Sequence, residues 1–147
     1  MNHAHPGYTL LDGPPTVAEY LTLRRDTGLS PKTEEQARAG IHGAWAAVRV
    51  VREASGEVVG MGRVIGDGGW YFHVIDMAVL PGHQGQGLGG AVLEHLLDRI
   101  RTHAPADAYV SLMADTPGQP LYARHGFEDR APRTIGMSRL LDGPERG

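Results

Sequence analysis

The segment from Trp70 to His103 constrains the fold more than any other part of the chain. It opens with Trp70 to Leu80, a run of aromatic, β-branched and apolar residues interrupted by His73 and Asp76, which reads as a central strand buried on both faces. Pro81 closes that run, and Gln84-Gly85-Gln86-Gly87-Leu88-Gly89-Gly90 follows. From Gly89 to His103 the spacing becomes helical: Val92, Leu93, Leu96, Leu97 and Ile100 form one apolar stripe, with Glu94, His95, Asp98, Arg99 and Arg101 on the wet face. Glycines let backbone approach a ligand without Cβ obstruction. The helix they open into offers unpaired N–H groups and the positive end of its dipole. Strand, glycine loop and helix in this order predict a phosphate cradle.

The flanking segments alternate between strand and helix signals. Tyr8 to Leu11 is a short strand candidate ended by Gly13-Pro14-Pro15. Thr16 and Glu19 form a capping box for a first helix, and Lys32 to Ala39 is a second, weaker one. Trp45 to Arg52 and Val58 to Ile65 are strand-like and joined by Ala54-Ser55-Gly56-Glu57, a turn sequence that suits a hairpin. After the long helix, Tyr109 to Met113 is a strand, Gln119 to His125 a short helix, and Thr134 to Leu140 a final strand. The order predicts an α+β fold: a mixed, mostly antiparallel central sheet flanked by helices. One domain is expected across residues 1–147, with 142–147 as a loose tail.

Composition excludes several classes. The net charge of −3 provides no broad basic face for nucleic acid or an anionic membrane. The absence of cysteine removes disulfides, thiolate nucleophiles and cysteine metal sites. Met1-Asn2-His3-Ala4-His5-Pro6 is neither a signal peptide nor a membrane span, so the expected location is cytoplasmic.

The cradle alone does not identify its ligand. Gly85, Gly87 and Gly90 satisfy the dinucleotide pattern Gly-x-Gly-x-x-Gly, but Pro81-Gly82-His83-Gln84 separates them from the strand. The acidic residue that should follow at the next strand falls near Val110 and is missing. No Gly-Lys-Ser/Thr is present for a nucleoside triphosphate loop. Val79-Leu80-Pro81-Gly82-His83-Gln84-Gly85-Gln86-Gly87-Leu88-Gly89 instead resembles the acetyl-CoA motif of the GCN5-related N-acetyltransferase (GNAT) superfamily, whose Gln/Arg-x-x-Gly-x-Gly/Ala core matches Gln84, Gly87 and Gly89. Leu121-Tyr122-Ala123-Arg124-His125-Gly126-Phe127 is similar to the family's second signature, Leu-Tyr-x-x-x-Gly-Phe. The resemblance covers about Trp70 to Phe127. An asparagine often found before the tyrosine signature is replaced by Asp115 or Gln119, and no role passes to either.

The resemblance implies a GNAT-like acyl-CoA N-acyltransferase fold, and acetyl-CoA as co-substrate with no metal. Coenzyme A would be bound by Met77, Ala78 and Val79 at the strand end and by Gln84, Gly85, Gln86, Gly87, Leu88, Gly89 and Gly90 in the loop. In the family this strand splays from the next, so the pantetheine arm adds like an extra strand, and an amide near Val79 polarises the thioester carbonyl. Tyr122 is the candidate general acid, since a phenol with a pKa near 10 is protonated at neutral pH and can donate to the departing thiolate. The alternative is a core aromatic whose hydroxyl bonds to backbone. His73, counted back from the loop, falls where some members carry a catalytic glutamate; imidazole accepts a proton near neutrality. Asp76 competes for that role, and period-two alternation places the two on opposite faces unless a bulge intervenes.

The remaining histidines form no metal set: His95 and His103 are too far apart on one helix, and Glu94-His95 lacks the second histidine of a zinc motif. Arg124, Arg130 and Arg133 are candidates for the 3′-phosphate of coenzyme A or for a solvated face. An amine acceptor is expected near Tyr20, Arg24, Trp45, Trp70 and Tyr71, with Glu19, Asp26, Glu34 and Glu35 compatible with a cationic small molecule. Transfer to a protein lysine or N-terminus, and a catalytically silent acyl-CoA-binding or regulatory protein, are the competing functions. No nucleic acid or membrane partner is expected, and a homodimer is left open.

Overall fold

The computed structural model describes residues 5–144. Five strands form one sheet: β1 (Tyr8–Asp12), β2 (Ala46–Arg52), β3 (Val58–Gly66), β4 (Tyr71–Val79) and β5 (Tyr109–Leu112). They lie in sequence order; the first three junctions are antiparallel and β4–β5 is parallel. Helices α1 (Val17–Asp26) and α2 (Glu34–Gly40) fill the connection from β1 to β2, α3 (Leu88–His103) the crossover from β4 to β5, and α4 (Gln119–Arg124) follows β5. The expected α+β plan is the one found.

Local chemistry sets the helix starts. Thr16 accepts from the Glu19 N–H, and the Glu19 carboxylate accepts from the Thr16 N–H, so the capping box read from the sequence is formed. Thr33 and Gln36 build a second box on α2. The apolar stripe of α3 buries Leu88, Val92, Leu93, Leu96, Leu97 and Ile100 against Val48, Val50, Val59, Val64, Phe72 and Val74 of the sheet. Each such side chain contributes about 1.5–3 kcal/mol on burial. A Cβ at Gly62 would stand 2.6 Å from Val92 Cγ1, so glycine is what lets α3 lie so close to β3. The opposite face packs Val58, Met61 and Ala78 against Tyr20 and Leu23 of α1 and against Ala37 and Ile41.

A bulge in β4 changes the face of one candidate residue. Arg63 pairs with Ile75 and Met61 with Ala78, so Asp76 and Met77 together oppose Gly62. Asp76 takes φ 59°, a left-handed conformation that aspartate tolerates better than most residues. Phe72 and Val74 face α3, so His73 faces the α1 side. The inserted residue brings Asp76 to that side as well, where it bonds to Tyr20 and Arg24. Simple alternation fails here: His73 and Asp76 share a face.

Thr134 to Leu140 is not a strand. Residues 128–144 contain no regular element, and no backbone hydrogen bond joins 134–144 to β5 among the described residues. The apolar alternation is present, but the segment has no strand beside it.

Candidate active site

The glycine loop has the geometry of an anion cradle. After a single 3-10 turn over Pro81–His83, Gly85 and Gly87 take φ 77° and 81°, and Gly87 is the N-cap of α3. Among the described residues no side chain caps that helix, so the N–H groups of its first turn point outward unpaired with any such cap. A Cβ at Gly85 would meet nothing within 4 Å, which leaves the concave side open for a ligand's approach. The loop is held from behind. Gln84 Nε2 donates to the Val79 carbonyl at 2.9 Å, Gln86 Nε2 donates to the Tyr8 hydroxyl at 3.3 Å, and that hydroxyl lies 2.7 Å from His83 Nδ1. His83 therefore bonds to β1, and the side-chain amides of Gln84 and Gln86 serve the loop's own shape.

Beside the loop the sheet divides. The pairing of β4 with β5 runs from Tyr71–Tyr109 to Val74–Leu112 and stops, while β4 continues to Val79. The Leu80 N–H bonds to the Val59 carbonyl across β3. By alternation the amides of Met77 and Val79 face the other way, into the gap that β5 has left. A backbone edge with free donors thus ends at the glycine loop.

His73 sits one pair before the division. Its Nδ1 lies 2.8 Å from Ser111 Oγ on β5, and Ser111 Oγ lies 3.4 Å from the Tyr71 hydroxyl. Burial holds the His73 pKa below its usual 6.5, so the imidazole is neutral and able to accept a proton at neutral pH. Asp76 is occupied: its carboxylate accepts from Arg24 at 2.5 Å, from Arg63 at 2.8 Å and from the Tyr20 hydroxyl at 2.7 Å. Arg24 also binds the Ser30 carbonyl and hydroxyl, and Arg63 the Gly40 carbonyl. A carboxylate this heavily bonded is an anchor for the bulge, whereas His73, on the same face, is in no ion pair among the described residues.

Tyr122 comes from α4, which packs on the first turn of α3: positions 89 and 90 face Leu121, and the His125 ring lies 2.7 Å from the Glu94 carboxylate. The Tyr122 ring is half-buried against Phe127 and the α3-side core. Its hydroxyl bonds to none of the described residues, so the backbone-bonded alternative does not hold. Burial first, and then the Asp115 carboxylate, raise its pKa, which keeps the phenol protonated.

Other expectations fare differently. Tyr20 and Arg24 are buried and committed to Asp76, whereas Trp45 packs on Phe72 in the α3-side core. Only Trp70 and Tyr71 of the acceptor group are exposed, edge-on to each other at the start of β4. The acidic residues lose most of their claim on a cationic acceptor: Glu19 serves its capping box, Glu34 pairs with Arg38, and Asp26 with Arg25. Arg130 pairs with Glu128. Among the described residues no acid and histidine cluster could hold a metal, and no helix is long and apolar enough to cross a membrane. A cavity of about 230 Å³ lies away from the loop, between Asp12, Ile41, Trp45 and Arg99. Sequence reasoning missed Ser111, the partner of His73, and the Arg24–Asp76–Arg63 network. The one signal for the network was a carboxylate inside an apolar strand.

Comparison with known proteins agrees with this geometry. Residues 44–129 match the family model of the acetyltransferase (GNAT) domain. A crystal structure of a probable acetyltransferase from meticillin-resistant Staphylococcus aureus is 38% identical, with TM-score 0.85 over 91% of this chain and 99% of that one. Glucosamine-6-phosphate N-acetyltransferase from Arabidopsis thaliana shares the fold at 18% identity and TM-score 0.66, over 91% of this chain and 99% of that one. Histone acetyltransferase TAP1 of Glycine max is 39% identical over 72 residues, 48% of this chain, and the matched stretch spans 30% of that relative's length. The family model covers more than half of the chain and meets the cradle, the divided sheet and the tyrosine helix in the order observed: the chain belongs to the GNAT acetyltransferase superfamily.

Proposed function

We propose that the protein is a single-domain N-acetyltransferase that moves the acetyl group of acetyl-CoA to a primary amine by direct attack. The observation that carries this is the meeting of three features at one place: an uncapped helix start behind positive-φ glycines, the parting of β4 from β5, and a protonated phenol with no hydrogen-bond partner among the described residues. The pyrophosphate binds the backbone from Gly85 to Gly90, and the pantetheine arm bonds along Met77, Ala78 and Val79 as an added strand. The Val79 N–H faces the gap and polarises the thioester carbonyl. His73, held by Ser111, removes the ammonium proton directly or through water, and the neutral amine attacks. The tetrahedral intermediate then collapses: the C–S bond breaks, Tyr122 delivers its proton to the thiolate, and the second proton of the attacking nitrogen, passed through water, leaves the amide and restores the phenol.

The acceptor is a small-molecule amine in this proposal. A protein lysine is the second reading, favoured by the name of the soybean relative, a histone acetyltransferase. Incubating acetyl-CoA with a panel of small amines and lysine peptides, while following thiol release, tests both. Release with the amines supports the proposal, and release with peptides alone selects the second reading. Acetyl-CoA binding without release in either set would make the protein a silent acyl-CoA binder.

A further inference from the structure

The helix that carries Tyr122 is short and lightly held. α4 has six residues, and among the described residues no side chain caps it and no regular element follows it. The hydrogen bonds around it are local. Gln119 Nε2 donates to the Ala114 carbonyl at 3.3 Å, and the N–H groups of His125 and Phe127 donate to the Tyr122 carbonyl. A helix of this length does not hold its own place. Where the phenol stands is set by what ties α4 to the rest of the domain.

Two ties cross to α3, one apolar and one polar. Leu121 lies on positions 89 and 90. His125, three residues after Tyr122, reaches Glu94: its Nδ1 lies 2.7 Å from Oε1, and the two side chains are 21% and 32% exposed. Gly90 and Glu94 stand one turn apart on the same face of α3. A Cβ at 90 would be 3.3 Å from His125 Nε2, so the bare glycine makes room for the ring beside its partner. Glu94 is steadied in turn, since its Oε2 accepts from Arg101 at 3.3 Å and Arg101 also bonds to Asp98 at 2.6 Å. The bond from His125 first, and then that from Arg101, hold the Glu94 carboxyl below its usual range against the effect of burial.

We propose that Glu94 and His125 are positioning residues for Tyr122: their bond fixes the rotation of α4 against the start of α3, and with it the reach of the phenol to the departing sulfur. The inference rests on the role proposed above for Tyr122. Both ties end on α3, the helix whose first turn opens from the glycine loop, so proton donor and coenzyme share one frame. Neither Glu94 nor His125 takes part in the proton transfer itself. A displacement of about 1 Å can cost about 10²-fold in rate, which is the size of effect open to one side-chain bond.

Two measurements test the pair. With 3-fluorotyrosine in place of tyrosine, the fluorine resonance of position 122, identified by its loss in Tyr122→Phe, should shift or split in His125→Ala while circular dichroism is unchanged. A resonance that stays where it was overturns the proposal. Thiol release from acetyl-CoA, with the most active amine of the panel above, gives the second readout. His125→Ala and Glu94→Ala should each lower kcat by about 10- to 10²-fold, with the KM for acetyl-CoA within about twofold of wild type. His125→Asn, whose amide can donate from the place of Nδ1, should restore most of the rate. Glu94→Gln, which keeps an acceptor oxygen and loses the charge, should show a smaller loss, and it serves if alanine at 125 lowers the helix content. In a Tyr122→Phe background His125→Ala should cost less than about twofold more, because no donor is left to place. A loss that multiplies in that background, or one matched by weaker acetyl-CoA binding, overturns the proposal, since the pair would then support the domain at large. Full turnover in His125→Ala beside a crippled Tyr122→Phe strikes the pair alone. Full turnover in Tyr122→Phe strikes the role of the phenol, and the inference with it.

Discussion

Replacing Asp76 by asparagine isolates the electrostatics of the β4 bulge, because asparagine tolerates the same left-handed backbone and matches the shape of the side chain. In the wild type one carboxylate, 7% exposed, balances two guanidinium groups that are themselves 8% and 10% exposed. Breaking a buried pair by removing one partner costs about 3–5 kcal/mol, since the remaining charges stay buried without compensation. Asparagine keeps one acceptor oxygen for Arg24, Arg63 or Tyr20, so the lower end, about 3 kcal/mol, is expected. At roughly 2–4 °C per kcal/mol for a chain near this size, the melting temperature should fall by about 10 °C. Thermal denaturation followed by circular dichroism measures this directly. Adding Arg24→Met to the variant should recover part of the loss, because it removes one of the stranded cations. A single variant whose melting point moves by less than about 2 °C would refute the idea that Asp76 anchors the bulge. A double variant less stable than the sum of its parts would show that Arg24 acts through Ser30 and not through Asp76.

Gly87→Glu places a side chain where φ is 81° and a charge where the pyrophosphate is proposed to bind, so acetyl-CoA affinity should drop at least tenfold, about 1.4 kcal/mol; an unchanged calorimetric Kd rules out the cradle. Tyr122→Phe deletes only the hydroxyl proposed as proton donor and should lower kcat by about 10²- to 10⁴-fold with little effect on acetyl-CoA binding. If turnover stays within about threefold of wild type, the thiolate leaves without the phenol. For His73, burial lowers the pKa from 6.5, so the neutral base persists into mild acid and activity should rise with pH through an apparent pKa below that value. His73→Gln should flatten this limb, and an overlaid profile hands the role to water. The same shift has a stability sign: the unfolded chain binds the proton more readily, so stability is full above 6.5 and is lost as pH falls through the lowered value. His73→Gln should reduce that loss in denaturant titrations at acid pH.

What could be read from the sequence was local. The Thr16–Glu19 box, the turn through Gly56 and the strand–loop–α3 succession depend on residues close together in the chain, and each is found. The motif residues Gln84 to Gly90 and Tyr122 converge because α4 docks on the start of α3. What failed depended on distant partners. Asp76 and His73 share a face because Arg24 and Arg63, from two other elements, hold an inserted residue in β4. Trp45 turned toward Phe72, a choice made by strand pairing. Glu19 and Glu34, read as acceptor-facing charge, are taken by neighbours three and four residues away.

The short parallel seam between β4 and β5 sets an order of assembly. β2, β3 and β4 follow one another through short turns, so their contacts close small loops. β5 reaches β4 only after the whole of α3 has crossed the sheet, and it gains just the stretch from Tyr71–Tyr109 to Val74–Leu112. So short a seam returns little contact for closing a loop of that length, so it forms late, as does the β1–β2 pairing that spans α1 and α2. Amide exchange should therefore be fastest, among the strands that line the cleft, along β5. Coenzyme bound across the gap would slow exchange there most, so a late-forming piece of the domain is the one whose lifetime a bound substrate would prolong.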